Sequence, residues 1–217
     1  DLLITFKKLL KKYSNAFVYV WYHPKIGLWF GASPETLLSI SDSNFKTMSL
    51  AGTQVYKATE VVWKKKEREE QQLVTSFIEN QLETISKNLS IDKTETIKAG
   101  NLLHLSTSVK GTLNSSSSLK KLIRALHPTP AVCGLPREVA KIFIQQNENY
   151  KRTFYTGFLG ELNIKNQKSS LFVNLRCMCI EGEIAEVYVG GGITKDSNAK
   201  KEWEETIAKS KTMKKVL

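Results

Sequence analysis

Strand-like segments in this chain arrive in consecutive runs, and the helical ones are set between those runs instead of alternating with single strands. Residues 17–22, 28–30, 36–40 and 45–55 carry alternating or short continuous apolar patterns bounded by turn residues. A helix opens the chain ahead of them, with Asp1 leading into a Leu- and Lys-rich repeat. A long helical pattern follows from about residue 59 to 87, and then a strand over 97–111. Short helices are predicted over 118–126, stopped by His127-Pro128-Thr129-Pro130, and over 136–150, where Pro136 suits the first turn. Strands at 154–164, 170–180 and 184–189 form a meander with polar turns. The last helix starts at the Asp196-Ser197 pair, both good N-caps, and runs to the end. This order points to an α+β fold rather than an alternating βαβ series.

With 217 residues there is material for one well-buried domain or for part of a larger one. No apolar run is long enough to cross a bilayer. Three cysteines, two of them as Cys177 and Cys179 on one strand, give neither a disulfide framework nor metal-ligand spacing, which points to the reducing cytoplasm. The net charge of +11 comes from lysines spread along the chain, with modest clusters at 7–12, 64–66 and 209–215. None is interleaved with aromatics in a nucleic-acid-binding pattern. A positive field that draws in a small dianion accounts for the charge as well.

Near the C-terminus, Glu202, Glu205 and Lys209 follow the glycine triplet Gly190-Gly191-Gly192 at spacings of three and four. On a helix these side chains form one stripe. Two carboxylates can hold a hard cation, while the ammonium and the N–H groups of a glycine turn can hold an anion. An ordinary solvated helix is the competing account. A second acidic pair, Glu67 and Glu70, falls on the same predicted helix face as Val74, Phe77, Ile78 and Ile85. Acids in line with a buried stripe are costly unless paired or metal-bound, unless that face has already emerged into solvent.

Nine stretches occur in the order of one known family: GASPETLL, SLAGTQ, KEREEQQLV, HLSTSVKGTL, LHPTPAVCGLPREVA, FYTGFLGELN, LFVNLRCM, VGGGI and EWEETIAKSKT. By these the chain is identified as a member of the chorismate-binding enzymes, the superfamily of isochorismate, salicylate, anthranilate and aminodeoxychorismate synthases. The resemblance implies a single catalytic domain over 1–217 that lacks its N-terminal portion. It implies two packed, mostly antiparallel β-sheets flanked by helices, with a Mg²⁺-dependent site between them. Chorismate is the implied partner, with no nucleic acid, membrane or obligate glutaminase, in a monomer. Within the superfamily the chain most resembles isochorismate synthases. Ala51 stands where the aminodeoxychorismate branch has an attacking lysine, and Ala131 where salicylate synthases tend to have threonine.

The same resemblance assigns roles. Glu35 would be the general acid that protonates the departing C4 hydroxyl. Glu70 and Glu205 would bind Mg²⁺ directly, with Glu67 and Glu202 acting through water. Arg176, Lys209, Tyr155 and the backbone of Gly190, Gly191 and Gly192 would hold anionic groups, and Gly52, Thr53 and His104 would line the pocket. Alternation places Arg176 on a strand over 172–180, on one face with Phe172, Asn174 and Met178. Two positions depart from the family pattern: Gln54 stands for an arginine and Gln71 for a histidine. The family's lysine base lies on a strand before the first helix here, so these residues alone are expected to be inactive. The alternatives are a salicylate synthase and a non-catalytic chorismate- or Mg²⁺-binding module. Isochorismate feeds menaquinone or siderophore synthesis, and the sequence does not separate them.

Overall fold

The computed structural model describes residues 1–58, 61–163 and 168–217. In chain order the elements are α1 (Leu2–Lys12), β1 (Phe17–His23), β2 (Gly27–Ser33), β3 (Thr36–Ser41), β4 (Asn44–Val55), α2 (Lys65–Glu83), β5 (Ser86–Ile91), β6 (Glu95–Ala99) and β7 (Leu102–Leu113). Then come α3 (Leu119–Leu126), α4 (Pro130–Cys133), α5 (Arg137–Asn147), β8 (Phe158–Asn163), β9 (Lys168–Val173), β10 (Cys177–Glu181), β11 (Ile184–Tyr188) and α6 (Ala199–Lys214). Two sheets result, and every described pairing is antiparallel. The smaller has the order β1-β2-β10-β11; the larger runs β5-β7-β4-β3-β9-β8, with β6 on the same edge of β7 as β5. The α+β fold with two antiparallel sheets and flanking helices is therefore as expected.

Each sheet buries one face under helices. On the larger sheet, Leu37, Ile40, Phe45, Val109 and Leu171 pack against Val74, Phe77, Ile78 and Leu82 of α2 and Leu122 and Leu126 of α3. On the smaller one, Phe30, Ala32 and Met178 meet Leu9 and Tyr13 from the α1 end and Met213 and Val216 from the α6 end. Among the described residues no helix is long and apolar enough to cross a membrane.

Several expectations are corrected. The long helix begins at Lys65, because Trp63 instead packs on Leu103 and Leu105 and its indole N–H donates to Thr96 Oγ1 at 2.8 Å. Its expected start at residue 59 lies outside the described residues. The helix ends at Glu83, since the segment from Ser86 pairs with β7. The strand expected over 97–111 is a hairpin, broken at Gly100-Asn101, where Gly100 has φ +64°. The strand expected over 170–180 is two strands in different sheets, and the final helix is capped by Asn198, not by Asp196 or Ser197. The strand expected from 154 begins at Phe158, and its expected end at 164 also lies outside the described residues. The helix from 136 stops at Asn147, and Glu148 turns back to pair with Arg152 at 2.5 Å. The one-turn helix α4 was not expected; Thr129 precedes it and Pro130 supplies a preset φ at its first position.

Gln71 shows why a departure from the family pattern is tolerated. Buried on α2, its Oε1 accepts from the Ala51 N–H at 2.9 Å, and its Nε2 donates to Ser49 Oγ at 2.8 Å and Thr107 Oγ1 at 2.9 Å. One amide thus ties α2 to β4 and β7 at the β-bulge around Gly52. Gln71→Leu keeps the size but leaves the buried Ala51 N–H without its acceptor, while Ser49 Oγ and Thr107 Oγ1 keep only Thr75 and Thr94. We expect it to lower unfolding free energy by about 2–3 kcal/mol in denaturant melts.

Candidate active site

The chain crosses between the two sheets twice, side by side. Pro34-Glu35 carries it from β2 to β3, and Asn174-Leu175-Arg176 returns it from β9 to β10. Because β2 pairs with β10 and β3 with β9, the crossings run antiparallel and are laced together: Val173 N donates to Glu35 O, and Ala32 N to Arg176 O, both at 3.0 Å. Asn174 anchors the return, accepting from Tyr19 OH at 2.7 Å and donating to Phe154 O at 2.9 Å. The seam between the sheets is where Glu35 and Arg176 sit. Arg176 is therefore not a strand residue sharing a face with Phe172 and Met178. It has φ +48° at the break, and its side chain is turned into the interior, 8% exposed.

Glu35 is 2% exposed and lines a pocket at this seam. Burial pushes its carboxyl up to about 8, partly offset by the Lys209 ammonium, so it carries a proton at neutral pH. The same pocket is lined by Ala51, Gly52, Thr53, Glu70, His104, Ala131, Tyr155, Arg176, Gly190, Gly191, Gly192 and Lys209. The structure thus brings together candidates from β4, α2, β7, α4, the turn before β8, the segment after β11, and α6.

The state of His104 follows from its partners. A guanidinium only donates, so Arg176 Nη2, 3.1 Å from His104 Nε2, makes that nitrogen the acceptor. The neutral ring then carries its proton on Nδ1, which faces Gly52 O at 3.1 Å and Thr53 Oγ1 at 3.2 Å. Burial and the nearby Arg176 and Lys209 charges hold its pKa down, at about 3. His104 is thus neutral and fully engaged. Burial also lowers Arg176, to about 10, which leaves it charged at neutral pH.

At the other end three carboxylates face the glycine turn. A methyl on Gly191 would lie 3.5 Å from Glu205 Oε1 and 3.8 Å from Glu202 Oε2, and one on Gly192 only 2.6 Å from Glu70 Oε1. Burial, then the Glu205 charge, pushes Glu70 up to about 7. Lysines carry the countercharge. Lys66 is bonded to Glu202, while Lys209 lies 2.6 Å from Glu205 and donates to Gly190 O at 2.9 Å. Burial works against the Lys66 ammonium, but Glu202, Glu70 and Glu205 together hold its pKa above the usual lysine value. Carboxylate oxygens facing a turn without side chains are donors of the kind a hard divalent cation takes. Among the described residues no three acidic, His or Cys side chains are already gathered at metal-holding distance. Glu67 stands apart from this group. Its carboxylate accepts from Lys64 N at 3.0 Å, closing the N-terminus of α2, and it is not among the charges acting on Glu70.

Sequence reasoning passed over Lys66, Arg152 and Tyr188. Arg152 lines the pocket and braces α4 by donating to Val132 O at 2.9 Å, while Tyr188 stacks against Trp29 at its edge. A lysine immediately before the Glu67/Glu70 pair was the available signal for the first. The other two had none, because their places depend on contacts far apart in the chain.

The family model described as chorismate binding enzyme matches residues 1–217. An isochorismate synthase of Bacillus subtilis, DhbC, is 32% identical over 194 residues, covering 84% of this chain and 48% of that protein. In fold, the chain matches the crystal structure of a putative 2,3-dihydroxybenzoate-specific isochorismate synthase from Bacillus anthracis. The TM-score is 0.92 at 31% identity, over 100% of this chain and 61% of the other. Anthranilate synthase component I from Streptococcus pneumoniae matches with a TM-score of 0.83 at 28% identity, over 96% of this chain and 48% of the other. The chain spans about half the length of the curated relatives it matches.

Proposed function

We infer, for a chain that belongs to the chorismate-binding enzyme family, that its pocket is the active site of an isochorismate synthase. The observation that carries this is Glu35, a buried carboxyl protonated at neutral pH in a pocket that the buried Arg176 guanidinium also lines. Isochorismate forms when water adds at C2 of chorismate, the C4 hydroxyl leaves and the ring double bonds shift. Hydroxide is a poor leaving group, so an acid must stand ready at C4. Glu35 serves there: its proton goes to the departing oxygen, which leaves as water. Arg176 and Lys209 take anionic oxygens of the substrate, the planar fork of Arg176 suiting a carboxylate. Glu70 and Glu205, with Glu202 through water, would hold Mg²⁺, whose charge when bound offsets that of the ring carboxylate. Ala51 leaves the pocket without an amine at the position where a lysine would attack the ring.

The water added at C2 must lose a proton, and the basic groups lining the described pocket are each committed elsewhere, Glu70 to the Mg²⁺ assigned to it. Lys209 is ion-paired, and the Nε2 of His104 is already engaged by Arg176. We therefore expect the 217 residues alone to leave chorismate unconverted, with the proton acceptor supplied by sequence outside them. The test is chromatography of chorismate incubated with Mg²⁺ and either this chain or the full-length protein. Isochorismate from the full-length protein only is the expected result. Salicylate as the end product would favour the salicylate synthase alternative, and unchanged chorismate in every sample would overturn the reading. Conversion by the short chain would show that a residue within it acts as the base.

A further inference from the structure

Arg176 is gripped from two sides. His104 holds Nη2, and on the other flank Nη1 donates to Thr212 Oγ1 at 3.3 Å. Thr212 lies on α6, three residues beyond Lys209, and is 4% exposed. Its backbone carbonyl accepts from Tyr13 OH at 3.1 Å. Tyr13 is held in turn at the end of α1, its ring 3.0 Å from where a methyl on Gly100 would sit. The salt bridges of the described residues do not include Arg176. Its hydrogen-bond partners are neutral and the Glu205 carboxylate acts on it only through space, so an arriving anion finds it under-paired, and its fork pairs with two oxygens only in one orientation.

We propose that Thr212 is a positioning residue: its hydroxyl, opposite His104, fixes the rotation of the Arg176 guanidinium so that the free N–H edge is set for a substrate carboxylate. Tyr13 fixes Thr212. The proposal rests on the reading that this pocket takes a carboxylate substrate. A fork set in advance loses less freedom when the anion binds, so the benefit falls on substrate affinity and not on the bond-breaking step.

The test compares Thr212→Val, which keeps the shape and removes the acceptor, with Thr212→Ser, which keeps the acceptor. Nitrogen-15 spectra of the arginine side chains, with the Arg176 signals assigned by their loss in Arg176→Lys, read the rotation directly and need no substrate. Wild type and Thr212→Ser should show separate Nη signals for Arg176, and Thr212→Val should merge them. In the full-length protein with Mg²⁺, Thr212→Val should raise the KM for chorismate about tenfold and change kcat by less than about threefold, with Thr212→Ser close to wild type. Should the valine variant fail to fold, Thr212→Ala makes the same comparison. Separate Nη signals in a variant without the hydroxyl would overturn the proposal, as would equal losses in the valine and serine variants. A full-length protein that takes no chorismate would sink the functional reading, while the nitrogen-15 comparison would still decide the role of Thr212.

Discussion

Glu35→Gln is expected to cut chorismate turnover by about 10²–10⁴-fold, the usual worth of a general acid, while chorismate binding stays near wild type. Glutamine keeps the shape and cannot deliver a proton to the C4 oxygen. A turnover loss under about threefold would remove Glu35 from the role. The same substitution has a second readout in stability. The Glu35 carboxyl titrates near 8 in the folded chain against an ordinary value of 4.5. Between those values the unfolded chain has released a proton that the folded chain retains, so folding becomes less favourable as pH rises. The slope is at most about 1.4 kcal/mol per pH unit. Below the ordinary value both states are protonated, and the penalty is absent. Gln has nothing to titrate, so the variant should melt above wild type at pH 8, with the gap closing toward pH 5. A gap that is constant with pH would mean Glu35 is not held protonated. For wild-type turnover, the same value predicts a decline as pH passes about 8, when the acid loses its proton.

Local pattern carried most elements, because strand alternation and proline stops are short-range signals. It failed where long-range pairing overrides them. Residues 170–180 read as one continuous strand, yet the chain leaves the larger sheet after Val173 and enters the smaller at Cys177. The break lies in the partner crossing at Pro34-Glu35, to which this segment is laced, and not in its own apolar pattern. Arg176 was therefore expected in the pocket for the right residue type but on the wrong backbone. The merged strand over 97–111 is a different case. There Gly100-Asn101 was an available turn signal, hidden by the apolar residues on both sides. The convergence of Glu70 with Glu202 and Glu205 was foreshadowed by two pairs at helical spacing. That Glu67 faces its own helix terminus depends on where α2 starts, and Trp63 decides that through contacts with β7.

That difference between Glu67 and the other acids sets the second large effect. Activity of the full-length protein is expected to require Mg²⁺ and to vanish in EDTA. Glu205→Ala or Glu70→Ala should lower turnover by orders of magnitude, since each removes a carboxylate aimed at the glycine turn. Calorimetric titration with Mg²⁺ should show weakened binding in both variants, which a defect confined to chemistry would not produce. Glu67→Gln should behave differently. Its carboxylate closes the first turn of α2, so the expected cost is about 0.5–1 kcal/mol of stability, with Mg²⁺ affinity changed little. If Glu67 instead lost as much Mg²⁺ affinity as Glu205, the carboxylate would have to leave its cap when metal binds, and all four acids would form one set. Full activity in metal-free buffer would overturn the metal assignment. The acids would then serve only to seat Lys66 and Lys209, and Lys66→Ala would be expected to cost as much turnover as Glu202→Ala, because each removes one half of the same ion pair.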